Sequence, residues 1–295
     1  MSGVDYTAAT SLSRETWQRL REEHQAKVGA WTDDRVYRAN LGIPHPVYDF
    51  LFTYYSFRPA YLKRWTPGAD VSLIDAKRDE LDWSEDFIEG ADGWVIPASA
   101  FPSHRRDYLS WAITYLERTA ERPASFHCFG LHEWAMVYKA DTARHSQIPL
   151  RLSKAEIARV VDDAELRCTH YDAYRFFTPE AAPLNRHSLS RATTTDFDQR
   201  GCIHVTMDLY RFAHKIAPWC SSDLIADSFL MACEARAIDM RASPYDLSNL
   251  DMKPIRIEAD DGREEYIAEQ RQLTEKAIPL RSRLLNVYRY LRERA

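Results

Sequence analysis

The stretch GCIHVTMDLYRFAHKIAPWCSSDLIADSFLMACEARAIDMR (201–241) reads as two helices with a break between them. Apolar residues recur at helical spacing on both sides of Pro218, which cannot continue the first helix. Gly201 to Ala217 forms that first helix. Ser221 to Arg241 forms a second, long one, with Pro244 just past its end. His204 and Asp208 lie one turn apart on the first helix and project from one face. Asp223, Asp227 and Glu234 share a stripe of the second.

Working outward, the same helical period returns in most of the chain. Ser13 to Val28 places Trp17, Leu20 and His24 on one stripe, with charged residues elsewhere; His24 reads as a surface or boundary histidine. Residues 104–120 carry Leu109, Ile113 and Leu116, and Ser153 with Glu156 forms a capping box for a helix to Asp162. Glu264–Ala277 and Pro279–Arg294 read as two charged helices. Val71–Ile74, Trp94–Ile96 and an edge segment Ile255–Glu258 suit short strands, with Asp261-Gly262 as a turn signal. The fold class expected is mostly α. A single helical domain spans 13–295, with a few short β-strands or a hairpin and a flexible arm over 1–12. Residues 180–200 read as a long loop of the kind that often serves as a lid.

Composition removes several functions. The 295 residues hold only 9 glycines, none at GxG spacing, which excludes glycine-rich phosphate loops. Five scattered cysteines read as reduced thiols of a cytoplasmic protein rather than a disulfide framework. The N-terminal residues show no secretory pattern and no apolar run is long enough to span a membrane, so no membrane partner is expected. The net charge of −5 offers no global attraction to nucleic acid. Arg105, Arg106, Arg144, Arg186, Arg191 and Arg200 are the residues available for a local basic patch.

The densest chemistry lies in PASFHCFGLHEWAMVYK (123–139), where Gly130 separates an aromatic approach from a short helix carrying His132, Glu133 and Trp134. His127 and Cys128 read as packing residues on that approach. Two further places pair a histidine with a carboxylate: His170 with Asp172, and His204 with Asp208. Pro44 and Pro46 hold His45 extended at the mouth of a nearly all-apolar helix that would bury Asp49 and end at Arg58. Asp49 and Arg58 either pair with each other or belong to a site.

Five blocks carry a resemblance: HPVYDFLFTYYSFRP (45–59), FGLHEWAMVYK (129–139), RCTHYDAYRFFTPEAAPLN (167–185), MDLYRFAHKIAP (207–218), and AIDMRASPYDL with LDMKPIRIE within 237–258. They resemble a bacterial family, common in actinobacteria, whose members usually carry the label 3-methyladenine DNA glycosylase. The similarity runs from about residue 14 to about residue 285. It implies a hydrolase that releases an alkylated or modified purine, free or in DNA, without a cofactor. The roles below come from the residues themselves.

For such an N-glycosylase, Glu133, His132, Asp172 and His170 are the candidate catalytic groups. A carboxylate activates water or shields an oxocarbenium ion, and a histidine or second acid serves the leaving group. Tyr54, Tyr55 and Trp134 would stack the base, and His45, Arg58 and Arg175 would complete its contacts. The same chemistry also suits a metal-dependent enzyme acting on a small aromatic molecule. There His132, Glu133, His170, Asp172, His204 and Asp208 would supply ligands to iron or zinc. The HExxH pattern is absent, since the segment reads His132-Glu-Trp-Ala-Met136. A third reading is a non-catalytic protein that binds a flat aromatic ligand.

Overall fold

The structure, a computed structural model, describes residues 10–141 and 147–295. Arg144 and most of the arm expected over 1–12 therefore lie outside the described residues. The helices are α1 (Arg14–Asn40), α2 (Asp49–Thr53), α3 (Pro59–Lys63), α4 (Arg106–Glu121), α5 (Leu131–Ala135), α6 (Lys154–Asp162), α7 (Tyr171–Tyr174), α8 (Thr194–Phe197), α9 (Ile203–Lys215), α10 (Ser222–Arg241) and α11 (Asp260–Arg294). One small sheet holds β1 (Ser11–Leu12), β2 (Ser72–Leu73), β3 (Ile88–Gly90) and β4 (Gly93–Val95) in the order β1-β2-β4-β3. The fold is mostly α, as the periodicity predicts. No helix among the described residues is long and apolar enough to cross a membrane.

Helices α9 and α10 form the centre. Both are buried on several faces, and α10 starts where the Ser221 hydroxyl accepts the backbone N–H of Leu224. Helices α4 and α11 pack along this pair, and α1 closes it from the other side. Helix α1 is longer than the stripe around Trp17 suggests, running on to Asn40. It stops at Gly42, whose φ of 69° lets the N–H groups of Gly42 and Ile43 reach back to Ala39 and Arg38. His24 is buried on its inner face, with Nε2 against the Leu62 carbonyl at 2.8 Å, not at the surface.

Several boundaries differ from expectation, each for a tertiary reason. Ser11–Leu12 docks as a parallel strand on Ser72–Leu73 with Leu12 buried, so these two residues of the expected arm belong to the fold. The helix expected from Pro46 to Arg58 shrinks to α2: the chain leaves it at Ser56, with φ 57°, and Arg58 precedes a separate helix, α3. Ile255 and Ile257 are both buried, and the Ile255 N–H donates to Arg241, so this segment caps α10 instead of adding a strand. The 180–200 loop is not a detached lid: Asp198 and Gln199 are buried at its end. Pro279 lies inside α11 without ending it. Ala277, Leu280 and Leu284 are buried around it, and that packing carries the helix across the missing hydrogen bond.

Gly262, expected in a turn, is instead in the first turn of α11. A Cβ there would stand 2.1 Å from the Arg256 carbonyl oxygen. Glycine to alanine in a helix ordinarily stabilises by about 1 kcal/mol. Gly262→Ala is expected to do the opposite, lowering the unfolding free energy by about 1–3 kcal/mol through overpacking. Urea unfolding checks this, and a variant as stable as the parent would show that the Arg256 backbone yields freely.

Candidate metal centre

Gly130 sets the entry to α5. Its φ of 73° turns the chain, and a side chain there would press on Ala242 and Tyr266. Leu131 to Ala135 then enter the interior together, so His132 and Glu133 are both buried. Each meets α10. His132 Nε2 lies 2.6 Å from Asp239 Oδ1, and the Arg236 guanidinium joins Glu133 Oε1 at 2.8 Å and Asp239 Oδ2 at 2.6 Å. Arg236 also lies over the Phe50 ring at 4.2 Å. Buried charges need partners at this range, because desolvation otherwise costs several kcal/mol per ion.

The third element is α9. The His204 ring centroid lies 4.4 Å from that of His132 and 5.3 Å from that of His170, with which it stacks at 8°. One ligand atom from each of His132, His204 and Asp239 falls within 4.8 Å of the other two. His170 itself is held by Asp198, at 3.1 Å from Nδ1, and Asp198 also accepts from the Tyr115 hydroxyl at 2.7 Å.

Electrostatics separates the three imidazoles. Burial disfavours a proton on His132, but the Asp239 carboxylate outweighs it and holds the ring well above its ordinary pKa. His170 is raised in the same way by Asp198 against burial. His204 has no carboxylate of its own at that range. Burial, then the neighbouring His132 charge, push it well below the usual value, so it is a neutral imidazole with a free lone pair. For Asp239, burial is overcome by the His132 and Arg236 charges, and the carboxyl stays ionised. A neutral imidazole and an anionic carboxylate are the forms a metal ion binds.

A cavity of about 10 Å³ abuts the two facing imidazoles, His132 and His204, and is bordered by Cys128, Cys168, Cys202, Tyr266 and Gln270. That is room for roughly one water-sized ligand. Cys128 Sγ lies 3.5 Å from His132 Nδ1, so it belongs to the site rather than to packing alone. Tyr266 Oη and Gln270 Oε1 are buried and meet no hydrogen-bond partner among the described residues.

The three histidine–carboxylate places thus converge in their histidines but not in their pairs. Asp172 and Asp208 form a neighbouring group around Arg211, which bonds Asp208 and lies 3.4 Å from Asp172. Arg175 joins Asp172 at 3.0 Å, and the Tyr55 hydroxyl donates to Asp208 at 2.9 Å. Tyr54 stacks on Phe50 at 4.8 Å and meets Tyr55 edge-on. Trp134 is fully buried, with Nε1–H on the Ala242 carbonyl, and presents no face to a ligand. His45 accepts the N–H groups of Val47 and Tyr48 as a turn cap, and Arg58 is exposed. Asp49 pairs with Arg38 and Arg35, not with Arg58. Glu133 is an ion-pair partner of Arg236 rather than a carboxylate facing a pocket.

Sequence reasoning missed Asp239, Arg236 and Asp198. The first two carried a signal: a cation and an acid three residues apart, flanked by Ala235 and Ile238 on an apolar helix. Asp198 carried none. Comparison with protein-family models, curated proteins and solved structures finds no match to this chain.

Arg236→Leu is expected to lower the unfolding free energy by about 3–5 kcal/mol, because it leaves two carboxylates buried without their cation. Adding Glu133→Leu should recover part of that loss. A cost below about 1 kcal/mol in urea unfolding would mean that the guanidinium is not their counter-ion.

Proposed function

We propose that the chain is a metal-dependent enzyme acting on a small molecule, its ion held by His132, His204 and Asp239. The observation that carries this is the meeting of three donor atoms within 4.8 Å, from three helices, in the interior. Two imidazoles and one carboxylate suit iron(II) or zinc(II) and leave coordination positions free. Such an ion supplies Lewis acidity or redox chemistry when bound. The chain's own residues do the rest. Arg236 holds Asp239 by its second oxygen and keeps it charged, and Glu133 holds Arg236. His170, fixed by Asp198, stacks on His204 and orients its ring. Tyr266 and Gln270 offer polar groups to whatever enters the small cavity.

Purified protein is expected to carry about one iron or zinc ion per chain by elemental analysis. His204→Ala and Asp239→Ala should reduce it to roughly a tenth or less, while His45→Ala leaves it unchanged. Metal-free protein that takes up neither ion on dialysis would end this reading.

A second reading, release of an alkylated purine by an N-glycosylase, is supported by the resemblance and by one feature. Asp208 is a buried carboxyl raised above its ordinary pKa by burial, against the pull of Arg211, and it accepts from Tyr55. Among the carboxyls singled out here it is the one suited to acid–base work. A duplex containing 3-methyladenine discriminates. Abasic sites that form after metal removal, and fail to form with Asp208→Asn, would replace the metal reading. Intact DNA would leave it standing.

A further inference from the structure

A second concavity lies at the other end of α9. His204 and His214 are ten residues apart on that helix, about 15 Å along its axis. His214 borders a cleft of about 500 Å³ between α3, the 83–86 loop and the start of α10. That volume is in the range of small-molecule sites, roughly 300–1,000 Å³. Leu62, Pro218 and Ile225 form its apolar floor.

The charges of this cleft set it apart. Nearly every other buried or half-buried ion discussed above has an opposite partner in contact. Arg64 and Asp86, both half-buried, and the exposed Glu85 line one cleft, yet none makes an ion pair with another or with any described residue. The Arg64 guanidinium lies 4.1 Å from the Tyr61 ring centroid and 5.7 Å from that of Trp83, so two aromatic faces hold it in place. Its N–H fork makes no side-chain hydrogen bond among the described residues. Asp86 is fixed from behind, its Oδ2 accepting from the Ser84 hydroxyl at 2.9 Å.

The two imidazoles at the back do not add to the charge. His24 is buried, with Nε2 on the Leu62 carbonyl, and burial lowers its pKa. His214 stacks on Phe57 at 3.6 Å and 9°, and burial lowers it to about 4. Arg64 is therefore the positive group of the cleft, and Glu85 with Asp86 the negative ones. A cation and two carboxylates held apart in one concavity complement a ligand that carries both charges itself.

We propose that this cleft binds a zwitterionic small molecule of the amino-acid type. Its carboxylate lies on the Arg64 fork, its ammonium on Asp86 and Glu85, and its side chain lies between Trp83 and the apolar floor. The site is separate from the metal centre and stands or falls independently of it.

The test is a thermal-shift and calorimetric screen of the intact protein against the twenty standard amino acids. At least one is expected to raise the melting temperature and bind saturably. For that amino acid, Arg64→Gln and Asp86→Asn should each weaken binding by about tenfold or more, the loss of one charge-assisted contact. The amine lacking the carboxylate and the acid lacking the ammonium should each bind about tenfold more weakly than the amino acid itself. Both substituted groups are solvent-accessible, so the variants should melt within a few degrees of the parent without ligand. No shift with any of the twenty would overturn the assignment. So would binding that is indifferent to Arg64→Gln, or an amine that binds as tightly as its amino acid.

Discussion

The contact between Arg236 and two buried carboxylates is the constraint on which the interior depends. A guanidinium in an apolar setting is tolerated only when its charge is met at hydrogen-bond range. Glu133 and Asp239 meet it from α5 and from α10 itself. That requirement fixes how deep α5 enters and how it is rotated about its axis. Once α5 is fixed, His132 has no choice of partner: it stands 2.6 Å from the free oxygen of Asp239. The polar interior thus follows from one buried arginine and the two acids that meet it.

Helix α9 connects this interior with the remaining polar groups. Its His204 leans between His132 and His170, while one turn on Asp208 turns toward Tyr55 and Arg211. The same helix therefore separates two chemistries by a single turn. Near His204 the groups are three imidazoles, of which His204 itself is the neutral one with a lone pair to offer. Near Asp208 they are a carboxyl, a phenol and an arginine already engaged with one another. The first set has donor atoms suited to an ion, and the second a carboxyl suited to proton transfer.

The sequence made the helices legible because their apolar stripes are local and periodic. It also singled out the three histidines, because polar groups in apolar segments are conspicuous. What it could not supply was who faces whom. Nearness in sequence assigns each histidine an acid, Glu133, Asp172 and Asp208, and only the last lies at helical spacing from its histidine. The actual partners of His132 and His170 are Asp239 and Asp198, 107 and 28 residues away. Residues one or two apart on a helix point to different faces, and even Asp208, one turn from His204, turns to an arginine, as Glu133 and Asp172 do. The break at Ser56 and the continuity through Pro279 were hidden for the same reason. Each is decided by what packs on the segment, not by the segment's own residues.

A count of charge sharpens what the proposed ion would do. Without it, His132 and Arg236 carry two positive charges against the two negative charges of Glu133 and Asp239, so the buried group is neutral. An ion bound at His132 would displace one of the protons of its ring. Exchange of that proton for a divalent ion leaves one positive charge in excess among groups sealed from solvent. Such an excess is costly in the interior, and it is relieved by one anionic ligand from outside. The cavity beside His132 and His204 is of the size for a small ligand and is lined by Tyr266 and Gln270. On this argument an ion bound there would be joined by a small anion, in a cavity where the buried Tyr266 hydroxyl has no partner among the described residues.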